Sequence, residues 1–410
     1  MISELHDTRY AWIRLALSLA IGCVINVGMW AVVVVMPGIE AEFAVDRADA
    51  SLPYTVTMVG FALGTLLIGR WADRIGIFPC LAVAGAAMGA GYALLALSPS
   101  LAVVVALHGI IGFASAAGFA PLVADISHWF LRRRGIAMAL VASGNYVAGA
   151  VWPLILAPVL EAEGWRAAYL VLAGAVPALV VPLAFTLRRR VQEAASALAD
   201  SAAAARTSTT GLSPRTLLVL LFLAGIGCCV AMSMPQVHIV SYCVDLGYGA
   251  AAGAEMLSIM LFGGVISRLV FGALADRLGG LRTLLIGSVL QCLALFLYLP
   301  SDALTSLYVV SAIFGLAQGG IVPTYAIIVR EYMPARQAGA RVGLVTFATI
   351  AGMALGGWMS GLIYDLTGSY TYAFLNGTGW NALNIAIVVA LLVLARPRPE
   401  PSLPRAAEVR

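Results

Sequence analysis

An arginine interrupts an apolar stretch in the second half of this 410-residue sequence. Residues 263–277 read GGVISRLVFGALADR, and the nearest carboxylate on that stretch, Asp276, lies eight positions after Arg268. At about 1.5 Å of helical rise per residue, roughly 12 Å separates the two residues along a helix. The planar fork of an arginine binds a carboxylate through two parallel hydrogen bonds. An organic anion therefore has the chemistry that would neutralise Arg268.

Other polar side chains also interrupt apolar stretches. His238 and His108 are candidates for proton exchange because histidine is the side chain that ordinarily titrates near neutral pH. A hydrogen-bonded structural role is the alternative for each of them. We predict that further polar residues line a pocket with Arg268, although Tyr325 and Asn26 could equally join neighbouring helices. These pocket candidates are Asn145, Tyr146, Tyr325, Tyr242 and Asn26.

The elements that position these residues follow from composition. Hydrophobic residues make up 61% of the chain, only 11% are charged, and the mean hydropathy is +0.96. Soluble domains carry about one quarter charged residues. Twelve stretches have the roughly 20 apolar residues that a membrane-spanning helix needs. We therefore expect an all-helical polytopic membrane protein with twelve spans.

The distribution of positive charge predicts the topology. The sequence contains no lysine, so all 24 basic residues are arginines. If the N-terminus is cytoplasmic, 21 of them fall on cytoplasmic segments, Arg47 and Arg166 fall outside, and Arg268 lies within a span. This bias predicts cytoplasmic termini in a cell membrane. The net charge of +4 then reflects topology, and no nucleic-acid partner is expected.

An internal repeat divides the chain into two halves. GRWADRIG begins at Gly69 and GALADRLG at Gly272, an offset of 203 residues that also relates Gly112 to Gly315. Two six-helix halves in the same orientation are a transporter architecture with the solute site between them. The predicted units are an N-terminal bundle at 1–187, a cytoplasmic linker at 188–214 and a C-terminal bundle at 215–410.

The repeated turn resembles the G-x-L-A-D-R-x-G-R-R signature of the major facilitator superfamily. The resemblance implies a cytoplasmic gate in which the glycines allow close helix approach and the charged residues bind neighbouring helix ends. After Gly76, Ile77 and Phe78 replace the basic pair of the signature. The gate residues carried over from the resemblance are Gly69, Asp73, Arg74, Gly272, Asp276 and Arg277.

Two further stretches resemble the monocarboxylate transporter family. HWFLRRRGIAMALVASGN, residues 128–145, is similar to the family motif that enters span five. MPQVHIVSYC and the segment that ends at Arg268 resemble spans seven and eight, where the family's arginine binds the substrate carboxylate. Gly264 stands where animal members have an aspartate. Trp30 stands in for their span-one lysine.

These resemblances imply a major facilitator fold and proton-coupled symport of a small monocarboxylate such as lactate or pyruvate. The partners would be a small organic anion, a proton and the lipid bilayer, and the carrier would act as a monomer. Organic-anion exchange and export of another small molecule are alternatives, and a non-transporting sensor is a third. The six cysteines lack metal-ligand spacing, and no phosphate-binding loop or hydrolase motif occurs. We therefore expect no cofactor, no metal and no enzymatic activity.

Overall fold

The computed structural model describes residues 6–130, 133–189, 213–333 and 335–394. Most of the predicted linker and the C-terminal tail lie outside these ranges, and so the boundaries of the linker stay a prediction. The side chain of Asp73 is also outside the described part.

The described chain is helical almost throughout. The first eight α-helices precede the predicted linker: α1 Arg9–Ile25, α2 Val27–Phe43, α3 Arg47–Ile75, α4 Ile77–Ala96, α5 Leu101–Ser115, α6 Ala120–Ser127, α7 Arg134–Ala142 and α8 Gly144–Phe185. The other seven follow it: α9 Pro214–Asp245, α10 Gly249–Leu278, α11 Gly280–Tyr298, α12 Leu304–Gln318, α13 Ile321–Tyr332, α14 Ala335–Thr367 and α15 Tyr370–Leu394.

Several spans consist of two consecutive helices. Within the described ranges, eleven helical segments are long and apolar enough to cross a membrane. One of them, Ile136–Phe185, is 50 residues long and turns at Gly164, whose φ of 80° ends one helix and allows the next to begin. Since about 20 residues cross a bilayer, this segment supplies two spans. The structure therefore contains the twelve spans that the sequence predicts.

The repeat seen in the sequence recurs as equivalent packing in the two halves. A Cβ atom built on Gly112 would lie 2.0 Å from the carbonyl oxygen of Thr57, and one on Gly315 would lie 2.1 Å from that of Met260. Thr57 and Met260 are themselves 203 positions apart, like the two glycines. A side chain at either glycine would prevent this backbone approach. The two bundles thus pack their second and fourth spans in the same way.

The halves meet along two pairs of helices. Helix α3 of the first half packs on α14 of the second, and α8 packs on α10. At one end of this interface, a Cβ atom on Gly361 would meet the backbone of Arg47 and Ala48 at 2.9–3.0 Å. Near its middle, one on Gly264 would lie 3.0 Å from the Tyr146 ring. Polar residues placed along these seams can therefore interact across the two bundles.

Candidate functional site

Arg268 lies on α10 at the interface between the halves, with 8% of its surface exposed. Its Nη1 donates a hydrogen bond to the carbonyl oxygen of Ala142 at 2.5 Å, and its Nε donates to that of Gly319 at 3.3 Å. Ala142 belongs to the opposite half and is the last residue of α7. The C-terminal end of a helix carries partial negative charge, which is favourable next to a cation. Among the described residues, no carboxylate pairs with Arg268.

Tyr146 forms the second contact of this guanidinium across the interface. The carbon atom Cζ of Arg268 lies 3.9 Å from the centre of the Tyr146 ring, a cation–π geometry. The Tyr146 hydroxyl donates to Oε1 of Gln318 at 3.0 Å, which is a further bond between the two halves. Trp30 packs 6.3 Å from the Tyr146 ring and donates from its indole N–H to Asn145. The structure thus brings Arg268, Asn145 and Tyr146 into one region, and their role in binding a substrate stays a prediction.

Three residues that the sequence analysis did not select also belong to this region. Gln236 is fully buried beside the Tyr146 hydroxyl, and Tyr54 packs against Gly357 across the interface. Within the described ranges, both amide atoms of Gln236, the Tyr54 hydroxyl and Nε2 of Gln318 are buried without a hydrogen-bond partner. Buried polar groups are normally paired, and an unpaired group costs about 1–3 kcal/mol. These unused polar atoms of the described residues lie near Tyr146 and along the interface, as expected near a site for a polar ligand.

A second buried arginine, Arg47, closes the predicted outer end of the interface. Its guanidinium pairs with Glu40 of its own half at 2.7 Å and with Asp245 of the other half at 3.0 Å. It also donates to the Tyr370 hydroxyl and lies 4.6 Å from the Tyr364 ring. Asp365 accepts from the backbone N–H groups of Arg47 and Ala48 and so caps α3 from the opposite half. These contacts hold the two bundles together at this end.

The two candidate histidines have different surroundings. His238 is fully buried between the carbonyl of Gly357, 2.7 Å from Nε2, and the Tyr370 hydroxyl, 3.2 Å from Nδ1. Because a carbonyl only accepts, Nε2 carries the hydrogen and Nδ1 accepts from Tyr370. His238 is thereby linked through Tyr370 to Arg47 of the other half. Among the described residues, His108 bonds within its own half: Nδ1 donates to the Val104 carbonyl, and Nε2 accepts from the Tyr169 hydroxyl.

Three of the pocket candidates lie elsewhere in the structure. Asn26, at the junction of α1 and α2, donates to the carbonyls of Gly22 and Gly118. The hydroxyl of Tyr325 donates to Asn384 within the C-terminal half. Tyr242 packs on Tyr370 and donates to Asp302. None of these contacts reaches Arg268, and the interhelical alternative describes Asn26 and Tyr325 better than a pocket-lining role.

The repeated turn differs in part from its expected geometry. A Cβ atom on Gly69 or Gly272 would meet nothing within 4 Å, and so the expectation of close helix approach at these two glycines is wrong for this structure. The turns depend instead on Gly76 and Gly279, whose φ angles of 94° and 80° favour glycine. Arg74, Asp276 and Arg277 are exposed.

Glu331 on α13 is the carboxylate that bonds the start of α11, the helix that follows the second repeated turn. It accepts from the backbone N–H of Gly280, the first residue of α11, at 3.0 and 3.1 Å. Burial raises the pKa of Glu331 and the charge of Asp276 raises it further, whereas the bond from Gly280 lowers it. The sequence does not point to Glu331, because this residue lies 51 positions from its partner and outside the repeated motif.

Asp125 is a structural partner of Arg14. Both of its carboxylate oxygens accept from Arg14 at 2.8 Å, and Arg14 also donates to the Leu187 carbonyl. This pair joins α1, α6 and the end of α8 on the predicted cytoplasmic side.

Two helical bundles packed around buried polar residues define a polytopic membrane protein with the architecture of a carrier. The chain belongs to the Major Facilitator Superfamily, whose family model matches residues 19–259 and 244–409. It is a multi-pass membrane protein and a secondary transporter, in a family of transporters and not of enzymes.

Individual relatives are distant but cover most of the chain. Monocarboxylate transporter 13 of Bos taurus is 27% identical over 332 residues, which are 79% of this chain and 75% of the relative. The agnestins efflux protein AgnL12 of Paecilomyces divaricatus is 26% identical over 57% of this chain and 52% of its own. The nucleoside transporter NupG, solved as a point mutant, has a TM-score of 0.71 with 14% identity, and the match covers 92% of this chain and 99% of NupG. This structural likeness shows the fold alone.

Proposed function

We propose that this protein carries a small monocarboxylate such as lactate or pyruvate across the cell membrane together with a proton. The observation that carries the proposal is Arg268, a buried guanidinium at the interface whose hydrogen bonds go to neutral carbonyls. An ionisable residue within a membrane span ordinarily has a functional partner. A carboxylate would be a stronger acceptor than the Ala142 carbonyl because both partners of the bond would then be charged.

The neighbours of Arg268 favour a small substrate. The carboxylate would bind the guanidinium fork, and the amides of Asn145, Gln318 and Gln236 would bond a keto or hydroxyl oxygen. The Tyr146 ring and the Trp30 indole would contact the short carbon chain. Since the Tyr146 ring already lies 3.0 Å from a Cβ position on Gly264, little room remains for a longer chain. Tyr325, Asn26 and Tyr242 would act by holding the helices that form this site.

Alternating access follows from the way the two halves are joined. Arg268 bonds to Ala142 of the opposite bundle, and Arg47 bonds to Asp245. A substrate bound at Arg268 would replace one of these inter-bundle bonds, and rocking of one bundle against the other would expose the site to each side in turn. In this scheme the Arg47 cluster is the outer gate, and the repeated cytoplasmic turns form part of the inner gate. The carrier works as a monomer with both termini in the cytoplasm.

His238 is the better candidate for the coupled proton. It lies in the same half as Arg268 and is connected to the outer gate through Tyr370, whereas both ring nitrogens of His108 bond within the N-terminal bundle. Symport of one proton with one carboxylate moves no net charge, which lowers the electrostatic cost of moving the loaded site through the bilayer. The similarity to monocarboxylate transporter 13 of Bos taurus supports the substrate class.

Export of another small molecule is the second candidate, because the similarity to the agnestins efflux protein covers more than half of the chain. Purified protein in liposomes can distinguish the two. We expect counterflow of radiolabelled lactate or pyruvate, and accumulation when the outside is acidified that a protonophore abolishes. Counterflow that is indifferent to pH between about 5 and 8, where histidine titrates, would contradict proton coupling and favour anion exchange. Absence of carboxylate counterflow from folded protein would contradict the proposed substrate.

A further inference from the structure

The predicted cytoplasmic end of the N-terminal bundle contains a cavity of about 500 Å³, and none of its lining residues is among those that contact Arg268. The ends of α1, α3, α6 and α8 and the start of α4 form its walls. Its lining includes three arginines and a histidine, Arg14, Arg188, Arg189 and His128, against one carboxylate, Asp125. In the described part of the chain, the cavity therefore has an excess of positive charge.

The deepest cation of this cavity is already neutralised. Arg14 is 1% exposed and forms two bonds of 2.8 Å to Asp125. A further bond of 3.1 Å connects it to the carbonyl of Leu187, immediately before Arg188. This bond fixes the backbone at Leu187, immediately before Arg188 and Arg189. The positive charge available to a ligand thus comes from Arg188 and Arg189.

Aromatic rings hold these two guanidinium groups in place. Cζ of Arg188 lies 4.5 Å from the ring centre of Phe78 and 4.2 Å from that of Phe185. Cζ of Arg189 lies 5.3 Å from the ring centre of Tyr10. Ring contacts of this kind leave the N–H groups at the edge of the guanidinium plane free to bind an anion. Within the described ranges, neither arginine pairs with a carboxylate.

His128 supplies a third potential donor in the same cavity. Its Nδ1 is buried without a hydrogen-bond partner in the described part of the chain. A buried polar atom normally has a partner. Two oriented guanidinium groups and His128 therefore line one cavity, and their donors match the several acceptor oxygens of a phosphate group.

The rim of the cavity is apolar and exposed. Ile75 lines the cavity with 53% of its surface exposed, Trp71 on the preceding turn is 47% exposed, and Phe185 beside Arg188 is 46% exposed. In a membrane protein such side chains face the acyl chains of the bilayer. A ligand with both a phosphate and an acyl chain would satisfy the cavity and its rim together.

We propose that this cavity binds the headgroup of an anionic phospholipid from the cytoplasmic leaflet. The phosphate accepts hydrogen bonds from Arg188 and Arg189, and the adjoining acyl chain lies along Ile75 and Phe185. Basic pockets between spans on the cytoplasmic side are suited to such headgroups. The site does not depend on the identity of the transported substrate. A soluble organic phosphate shares the headgroup chemistry but has nothing to place against the apolar rim.

Native mass spectrometry of the full-length protein, delipidated in detergent, tests the proposal. Phosphatidylglycerol, phosphatidylcholine and glycerol phosphate are added separately to the wild type and to the double variant Arg188→Gln/Arg189→Gln. The matched control is Arg215→Gln/Arg282→Gln, which removes two exposed arginines from the same predicted side of the membrane. Equal melting temperatures without added lipid verify that all three proteins are folded.

We expect the wild type and the control to bind phosphatidylglycerol in preference to phosphatidylcholine. The apparent Kd for phosphatidylglycerol should rise about tenfold or more in the cavity variant, the size of effect expected from losing charge-assisted bonds worth about 1.5 kcal/mol or more. Equal losses in the cavity variant and the control would overturn the proposal, because the effect would then be general surface charge. Displacement of phosphatidylglycerol by equimolar glycerol phosphate would overturn the lipid assignment and identify a soluble phosphate ligand.

Discussion

Replacement of Arg268 by lysine separates the role of its charge from the role of its geometry. In the structure, Nε and Nη1 of Arg268 bond to two different carbonyls, and the face of the guanidinium lies on the Tyr146 ring. A lysine keeps the positive charge but has a single nitrogen, so it cannot bond a carboxylate through two parallel N–H groups. Arg268→Lys should therefore weaken carboxylate binding and leave the membrane insertion of α10 unchanged.

The expected size follows from the bonds that each variant loses. One charge-assisted hydrogen bond contributes about 1.5–3 kcal/mol. At 1.4 kcal/mol per factor of ten, Arg268→Lys should raise the substrate Kd about 10- to 150-fold. Arg268→Ala leaves a buried carboxylate without its counter-charge, a loss of about 2–5 kcal/mol. For that variant we expect a Kd about 30- to 4,000-fold higher.

Two measurements on purified protein test this prediction. Substrate-induced thermal stabilisation reports binding, because a ligand that binds only the folded state raises apparent stability by mass action. Counterflow in liposomes reports transport at matched protein density. Arg215→Lys, an exposed arginine outside the interface, is the control and should behave like the wild type. Wild-type affinity in a folded Arg268→Ala protein would refute the carboxylate site.

Three further predictions follow from the contacts across the interface. Gly264→Val places side-chain atoms against the Tyr146 ring and should raise the KM for lactate. The control Gly379→Val, at a position with open space, should leave the KM unchanged. Equal KM values for the two variants would contradict the placement of Tyr146. Arg47→Met removes the pairs with Glu40 and Asp245 and should let the outer ends of the two halves move apart. The distance between spin labels at Glu163→Cys and Ala303→Cys should therefore become longer. The control Arg166→Met breaks a pair within one half and should leave this distance unchanged. An unchanged distance in Arg47→Met would mean that this cluster does not hold the outer end closed. His238→Gln should abolish pH-driven accumulation but retain counterflow. His108→Gln should retain both activities but unfold at a lower temperature, because the loss of a buried hydrogen-bonding group costs about 1–3 kcal/mol of stability. Normal accumulation by His238→Gln would remove that histidine from the coupling mechanism.

Much of the architecture could be predicted from sequence because the bilayer imposes simple rules. A span needs a length of apolar residues, and the arginine bias orients it. The repeat then paired equivalent spans, and the equal approaches of Gly112 and Gly315 confirm that pairing. Arg268 could be selected because a charge within a span is rare and costly, so its type and position together carry the signal.

The uncharged members of the site were harder to predict. Tyr146 and Tyr325 are both tyrosines within apolar stretches, yet one packs on Arg268 across the interface and the other bonds to Asn384 within its own half. Which of these occurs depends on the rotation of each helix in its bundle. Gln236 and Gln318 were missed for the same reason, since an amide that bonds neighbouring helices and an amide that lines a pocket look alike in sequence.

Arg47 and Arg268 show how one residue type serves two purposes at the same interface. Both are buried, and both bond to the opposite half. Arg47 is surrounded by fixed acceptors, with Glu40, Asp245 and the Tyr370 hydroxyl on its guanidinium. A ligand anion that binds Arg47 would have to displace one of these carboxylates. The free energy lost with the existing ion pair would be similar to the free energy gained with the new one. Among the described residues, the Arg268 guanidinium contacts two carbonyl oxygens and the Tyr146 side chain, and an anionic ligand would exchange a neutral acceptor for a charged one. Both arginines join the two bundles, and the neighbouring carboxylates distinguish Arg47 from Arg268, the arginine that we propose binds the substrate.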